Sequence, residues 1–192
     1  PYEVLKTACL PYNDVITLKC VEEMVEIYYN TNRFRNSSNY LKNNFSTPFD
    51  FYNALSTYKK QKGVISLVNN KQYSYAFLIE FAENLNINLE KLKWLIKFDM
   101  LLHENLRTTP VWLLLPTIEN HDKIYTFLTK NPSIREFLPD YNDIDLKQLP
   151  KLVHIEEFPF NPKTLKDTPT TLLFNYRQTD VWGAALTQEV SL

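Results

Sequence analysis

Leu89-Glu-Lys-Leu-Lys-Trp-Leu-Ile-Lys-Phe-Asp-Met-Leu-Leu102 leaves little polar face when it is wound as a helix. Leu92, Trp94, Leu95, Ile96, Phe98, Met100, Leu101 and Leu102 cover most of its circumference. A helix that is apolar nearly all round is a buried one, so the core is expected to form around it. The segments on either side carry the helical period as well, and together they set the fold class.

On the N-terminal side, Val15, Leu18, Val21, Val25 and Tyr28 recur at spacings of three and four and make one apolar stripe. Glu22, Glu23 and Glu26 fall largely off it. Asn13 or Asp14 can cap this helix by accepting from a free N–H of the first turn. The pattern stops near Asn30, a residue that tolerates the left-handed conformation found past helix ends. A short helix is expected over Ser38 to Phe45. Thr47-Pro48 then supplies a cap followed by proline at the first helical position. Phe49, Tyr52, Leu55 and Tyr58 continue that stripe until Gly63 ends it. Tyr73 to Leu85 makes another helix, with Phe77, Leu78, Phe81 and Leu85 inward.

On the C-terminal side, the run from Pro110 to Pro116 reads equally as a buried strand or a helical turn, because periodicity cannot separate them at this length. Glu119 to Thr129 reads as a helix through Ile124, Phe127 and Leu128, and Asn131-Pro132 breaks it. A short helix runs to Leu138. After Pro150 the period changes to two. Val153 and Ile155 alternate with His154 and Glu156, and Leu172, Phe174 and Tyr176 alternate with Leu173, Asn175 and Arg177. The predicted fold is therefore mainly α, a multi-helix bundle-like domain closed by a small C-terminal antiparallel β pair. Residues from Thr187 on are expected to be loose.

Composition excludes several functions. Among 192 residues, 21 are basic and 22 acidic, for a formal net charge of −1. Neutralising phosphates needs a basic surplus, so non-specific binding to nucleic acid is not expected. No apolar run nears the length of a membrane span, and no leader pattern is present. There are only two glycines, Gly63 and Gly183, too few for a phosphate-cradling or dinucleotide loop. Cys9 and Cys20 match neither a zinc site nor a disulfide framework, which points to a reducing cytoplasm, and Cys20 is expected to be a small buried apolar residue.

A search for chemistry finds no assembled site. His103, His121 and His154 are too far apart for a helical two-histidine motif. His154 and Glu156 point the same way on a strand, yet two ligands do not make a tight metal site, so an exposed pair is the simpler reading. His103 sits at the end of the apolar helix, where a cationic imidazole suits the dipole. No catalytic, cofactor-binding or metal-ligating residue is assigned. The 12 Tyr, 12 Phe and three Trp are read mainly as core. The exception is Phe174-Asn-Tyr-Arg-Gln-Thr-Asp-Val-Trp182, where Tyr176, Arg177 and Trp182 are the residue types enriched at interface anchors.

Three stretches carry a family resemblance: Pro1-Tyr-Glu-Val-Leu5, Leu10-Pro-Tyr-Asn-Asp14 and Leu18-Lys-Cys-Val-Glu-Glu-Met-Val-Glu-Ile-Tyr-Tyr-Asn-Thr-Asn-Arg-Phe34. They resemble the junction at which a radical S-adenosylmethionine (SAM) barrel ends and an uncharacterised C-terminal domain begins, in bacterial cobalamin-binding radical SAM proteins. Phe174-Asn-Tyr-Arg177 resembles the end of that domain. The resemblance implies that residues 1–12 are a linker at the end of a preceding catalytic barrel and that residues 13–192 are one helical domain with β segments near 152–158 and 171–177. It also implies a parent enzyme holding an iron–sulfur cluster, S-adenosylmethionine and cobalamin, with this domain packed on the barrel, inactive by itself, and shaping or covering the substrate site. A free-standing helical protein-interaction adaptor is the alternative. The Tyr28-Tyr-Asn-Thr-Asn-Arg-Phe34 stretch is read as a helix end and sharp turn rather than part of a reaction centre. Its Asn30, Arg33 and Phe34, with Tyr176, Arg177 and Trp182, make the candidate docking surface.

Overall fold

The computed structural model describes residues 11–67, 70–106, 108–116 and 120–192. It is mainly helical, with a small antiparallel sheet at the C-terminal end. The chain divides into two compact units, residues 1–92 and 93–192.

The first unit holds α1 (Tyr12–Val25), α2 (Arg35–Lys42), α3 (Pro48–Gln61) and α4 (Lys71–Asn84). Pro11, not Asn13 or Asp14, occupies the cap of α1, and no side chain caps it. The inward residues of α1 and the turn after it are Val15, Val21, Met24, Ile27 and Tyr28, whereas Leu18 faces solvent. The predicted stripe thus differs in place, with Met24 and Ile27 inside where Leu18 and Val25 were expected, and after Val25 the helix continues as a wider π turn, Glu26–Asn30. That turn rotates Tyr28 into the core and leaves Tyr29 and Asn30 outside. Asn32, not Asn30, takes the left-handed conformation, at φ 55°. The next helix begins at Arg35 and ends at Lys42, earlier than the Ser38–Phe45 expectation.

Thr47 caps α3 as the sequence indicated: its Oγ1 accepts from the Asp50 N–H at 3.1 Å and donates to the Asp50 carboxylate at 2.8 Å. Gly63 closes that helix at φ 64°, with Val64 N–H on the Lys59 carbonyl and Gly63 N–H on the Lys60 carbonyl. Helix α4 ends in the same geometry with Asn86 in place of glycine, at φ 56°. Its start lies at Asn70, whose side chain accepts from Tyr73 N–H at 3.0 Å. Tyr73 is therefore the third helical residue rather than the first.

The second unit starts at Lys93, and its decisive element is the greater part of α5 (Leu89–His103). It is followed by α6 (His121–Lys130), α7 (Ile134–Phe137) and α8 (Leu149–Leu152), then β1 (His154–Phe158), β2 (Thr170–Thr179) and β3 (Ala185–Glu189). The run between the two prolines resolves into one 3-10 turn, Val111–Leu113, with Leu114 left-handed at φ 47°. The sheet has the order β1-β2-β3 and is antiparallel throughout. It corrects two expectations: the pair is a three-stranded sheet, and Thr187 to Glu189, expected to be loose, lie in β3.

The sheet is covered on both faces. Phe158 and Phe174 meet Phe98 of α5 at ring separations of 5.6 and 6.0 Å, and Phe158 also meets Trp94 at 5.9 Å. On the opposite face Ile155, Leu173 and Val190 pack with Leu128, Ile134, Leu138, Tyr141 and Leu149. Leu172, Leu173, Phe174 and Asn175 are consequently all buried, although their alternation is that of an ordinary strand. The N-terminal core should be as sensitive as this one. Phe34 is buried between Tyr28 and Tyr75, with ring separations of 4.9 and 4.4 Å, so Phe34→Ala is expected to cost about 3 kcal/mol. Urea titration of both proteins checks this, and a loss below about 1 kcal/mol would remove the ring from the core.

Candidate functional site

The densest group of ionisable side chains lies between α5 and β1. Strand geometry places His154 and Glu156 on the face that meets α5, one pleat period apart. Lys97 stands one turn after Trp94 on α5 and reaches the same place. Its Nζ is 2.8 Å from Glu156 Oε1, and His154 Nε2 is 3.1 Å from Glu156 Oε2. The side chains of Lys97 and Glu156 are only 9% and 12% exposed. Lys97 Nζ also lies 5.2 Å from the centre of the Trp94 ring, on which the ammonium gains a cation–π attraction. Burial opposes ionisation of Glu156, but the His154 hydrogen bond and the Lys97 ammonium outweigh it and hold the carboxyl below its ordinary range.

Both oxygens of Glu156 are thus engaged. It secures α5 to the sheet. The sequence reading of an exposed His154–Glu156 pair is corrected here, because both groups are partly buried and Glu156 has a second partner in Lys97. The missed residue is Lys97, and its signal was present: a lysine within an otherwise apolar helix needs a counter-charge when buried. Among the described residues no group of three or more His, Cys, Asp or Glu side chains is arranged to hold a metal ion. Cys20 is half-buried on α1 rather than fully inside, and Cys9 lies outside the described residues.

A second cluster forms where the sheet register breaks. Between Asn175 and Thr179 the pairing of β2 with β3 is irregular. The Arg177 N–H is taken instead by the Tyr141 hydroxyl, at 3.2 Å, and by Asn175 Oδ1, at 3.0 Å. The Arg177 guanidinium stacks over the Tyr141 ring at 4.6 Å, donates to the Asp140 carbonyl, and pairs with Asp143 Oδ1 at 2.8 Å. That hydrogen bond holds the exposed Asp143 carboxyl below its usual range. Asn175 completes the link by donating to Asp140 Oδ2 at 3.2 Å.

The six residues proposed as a docking surface therefore differ in their environments. In the first unit Asn30 is exposed, Arg33 is half-buried with its carbonyl accepting from the Tyr75 hydroxyl at 3.2 Å, and Phe34 is inside. The Tyr28–Phe34 stretch forms the helix end and turn that the sequence indicated. In the second unit the Tyr176 hydroxyl is turned onto the carbonyls of Leu101 and Glu104, at 3.0 and 3.2 Å. There it satisfies acceptors that the end of α5 leaves open, and burial pushes the phenol well above its ordinary range. Arg177 keeps part of its surface in solvent, and Trp182 is exposed.

Helices with a C-terminal sheet, held by buried rings and ionic clusters, define the class of structure. The chain belongs to the family described as "Protein of unknown function (DUF4080)", which matches residues 1–174. No curated protein and no solved structure matches it. No helix among the described residues is long and apolar enough to cross a membrane.

Two expected outcomes follow from the ionic cluster. Glu156→Gln strands Lys97 in a buried setting and should cost about 3 kcal/mol, whereas Lys97→Met combined with Glu156→Leu should cost less than either single change. Denaturant titration of wild type, Glu156→Gln, Lys97→Met, Glu156→Leu and the double variant decides it. The second concerns acid. A depressed folded value means that the Glu156 contribution is fully present above the ordinary carboxyl value of 4.5 and is lost as pH falls through the lower folded value. The stability gap between wild type and Glu156→Gln should therefore shrink as pH falls below 4.5. A gap independent of acid would refute the ionised pair.

Proposed function

We propose that this chain is a non-catalytic C-terminal accessory domain of a cobalamin-binding radical SAM enzyme, packing on the barrel and shaping or covering its substrate site. The observation that carries the reading is the sequence of residues 1–34, which resembles the junction between such a barrel and its C-terminal domain. The arrangement of the described residues is compatible with it. Two of their ionisable clusters, Lys97–Glu156–His154 and Arg177–Asp143, are committed to internal partners. Cys9 and Cys20, the chain's two cysteines, do not have the CxxxCxxC spacing of a radical SAM cluster. The iron–sulfur cluster, S-adenosylmethionine and cobalamin would belong to the preceding part of the polypeptide, in the bacterial cytoplasm. There the cofactors would carry the hard chemistry, and this domain would contribute position and exclusion of water.

A free-standing helical adaptor is the second reading, favoured by the exposed Trp182. The gene separates them. An in-frame CxxxCxxC upstream of Pro1, and iron in the purified gene product, are the expected result; a start codon immediately before Pro1 sinks the enzyme-domain reading. This chain expressed by itself should be colourless and inert towards S-adenosylmethionine. Stoichiometric iron bound to it by elemental analysis would overturn the assignment of the cofactors to the preceding part.

A further inference from the structure

We draw no further inference here: the strongest candidate, the polar cavity of about 440 Å³ between the loop after β1 and the end of β3, is lined by Lys166, Glu189 and surface hydroxyls such as Thr164 and Thr168, none of them buried, and no group among the described residues selects the ligand it would take.

Discussion

A buried phenol must bring its hydroxyl to an acceptor, and this tyrosine-rich chain meets that demand again and again with main-chain carbonyls far away in sequence. Tyr28 donates to the Ser74 carbonyl, Tyr58 to that of Glu80 and Tyr75 to that of Arg33. In the second unit Tyr176 donates to the end of α5, and Tyr141 accepts the Arg177 N–H released by the register break. A phenylalanine in any of these places would fill the same volume but forfeit the hydroxyl's hydrogen bond. Each ring therefore fixes both the packing and the register of two elements. Tyr52 is the exception, its buried hydroxyl lacking a protein partner.

Scarcity of glycine imposes a complementary constraint. Only Gly63 and Gly183 relieve the backbone where φ turns positive, so asparagine takes the role at Asn32 and Asn86. Asn86 closes α4 with the same pair of carbonyl bonds that Gly63 provides for α3. Leu114 and Leu165 also adopt positive φ, where a bulky side chain is strained. Leu165 is held there by its own N–H on the Asn161 carbonyl, within the loop between β1 and β2. From that loop Lys163 Nζ donates to the Thr187 carbonyl and Asn161 to Glu189. These bonds place charge and loop against β3, the kind of protection that edge strands need.

Much of this architecture was legible because its signals are local. Thr47-Pro48 announced a helix start, Gly63 a helix end, and the alternation after Pro150 the strands. What escaped were features decided by tertiary partners. Met24 of α1 and Ile27 of the π turn at Glu26–Asn30 face inward where Leu18 was expected to, and no periodic template contains such a turn. Strand β3 was missed because Ala185 to Glu189 is polar on most positions and gains its order from pairing with β2. Lys97 was overlooked within an apolar helix, although its partner Glu156 had been singled out. Distance in sequence hid that pairing.

Tertiary partners also sent three of the aromatic and basic candidates into different roles. Sequence composition ranks Tyr176, Arg177 and Trp182 alike, since all are common at interfaces. The register break separates them. Tyr176 stays on the face that meets α5 and is absorbed by carbonyls there; Arg177 leaves the ladder and stacks on Tyr141. Only Trp182, beyond the break and on a turn whose polar atoms are satisfied by Asp180, is left with its ring outside. A bulge that re-aims side chains is a recurrent device in sheets. In this chain it divides a run of similar residues into one that packs, one that braces and one that is presented.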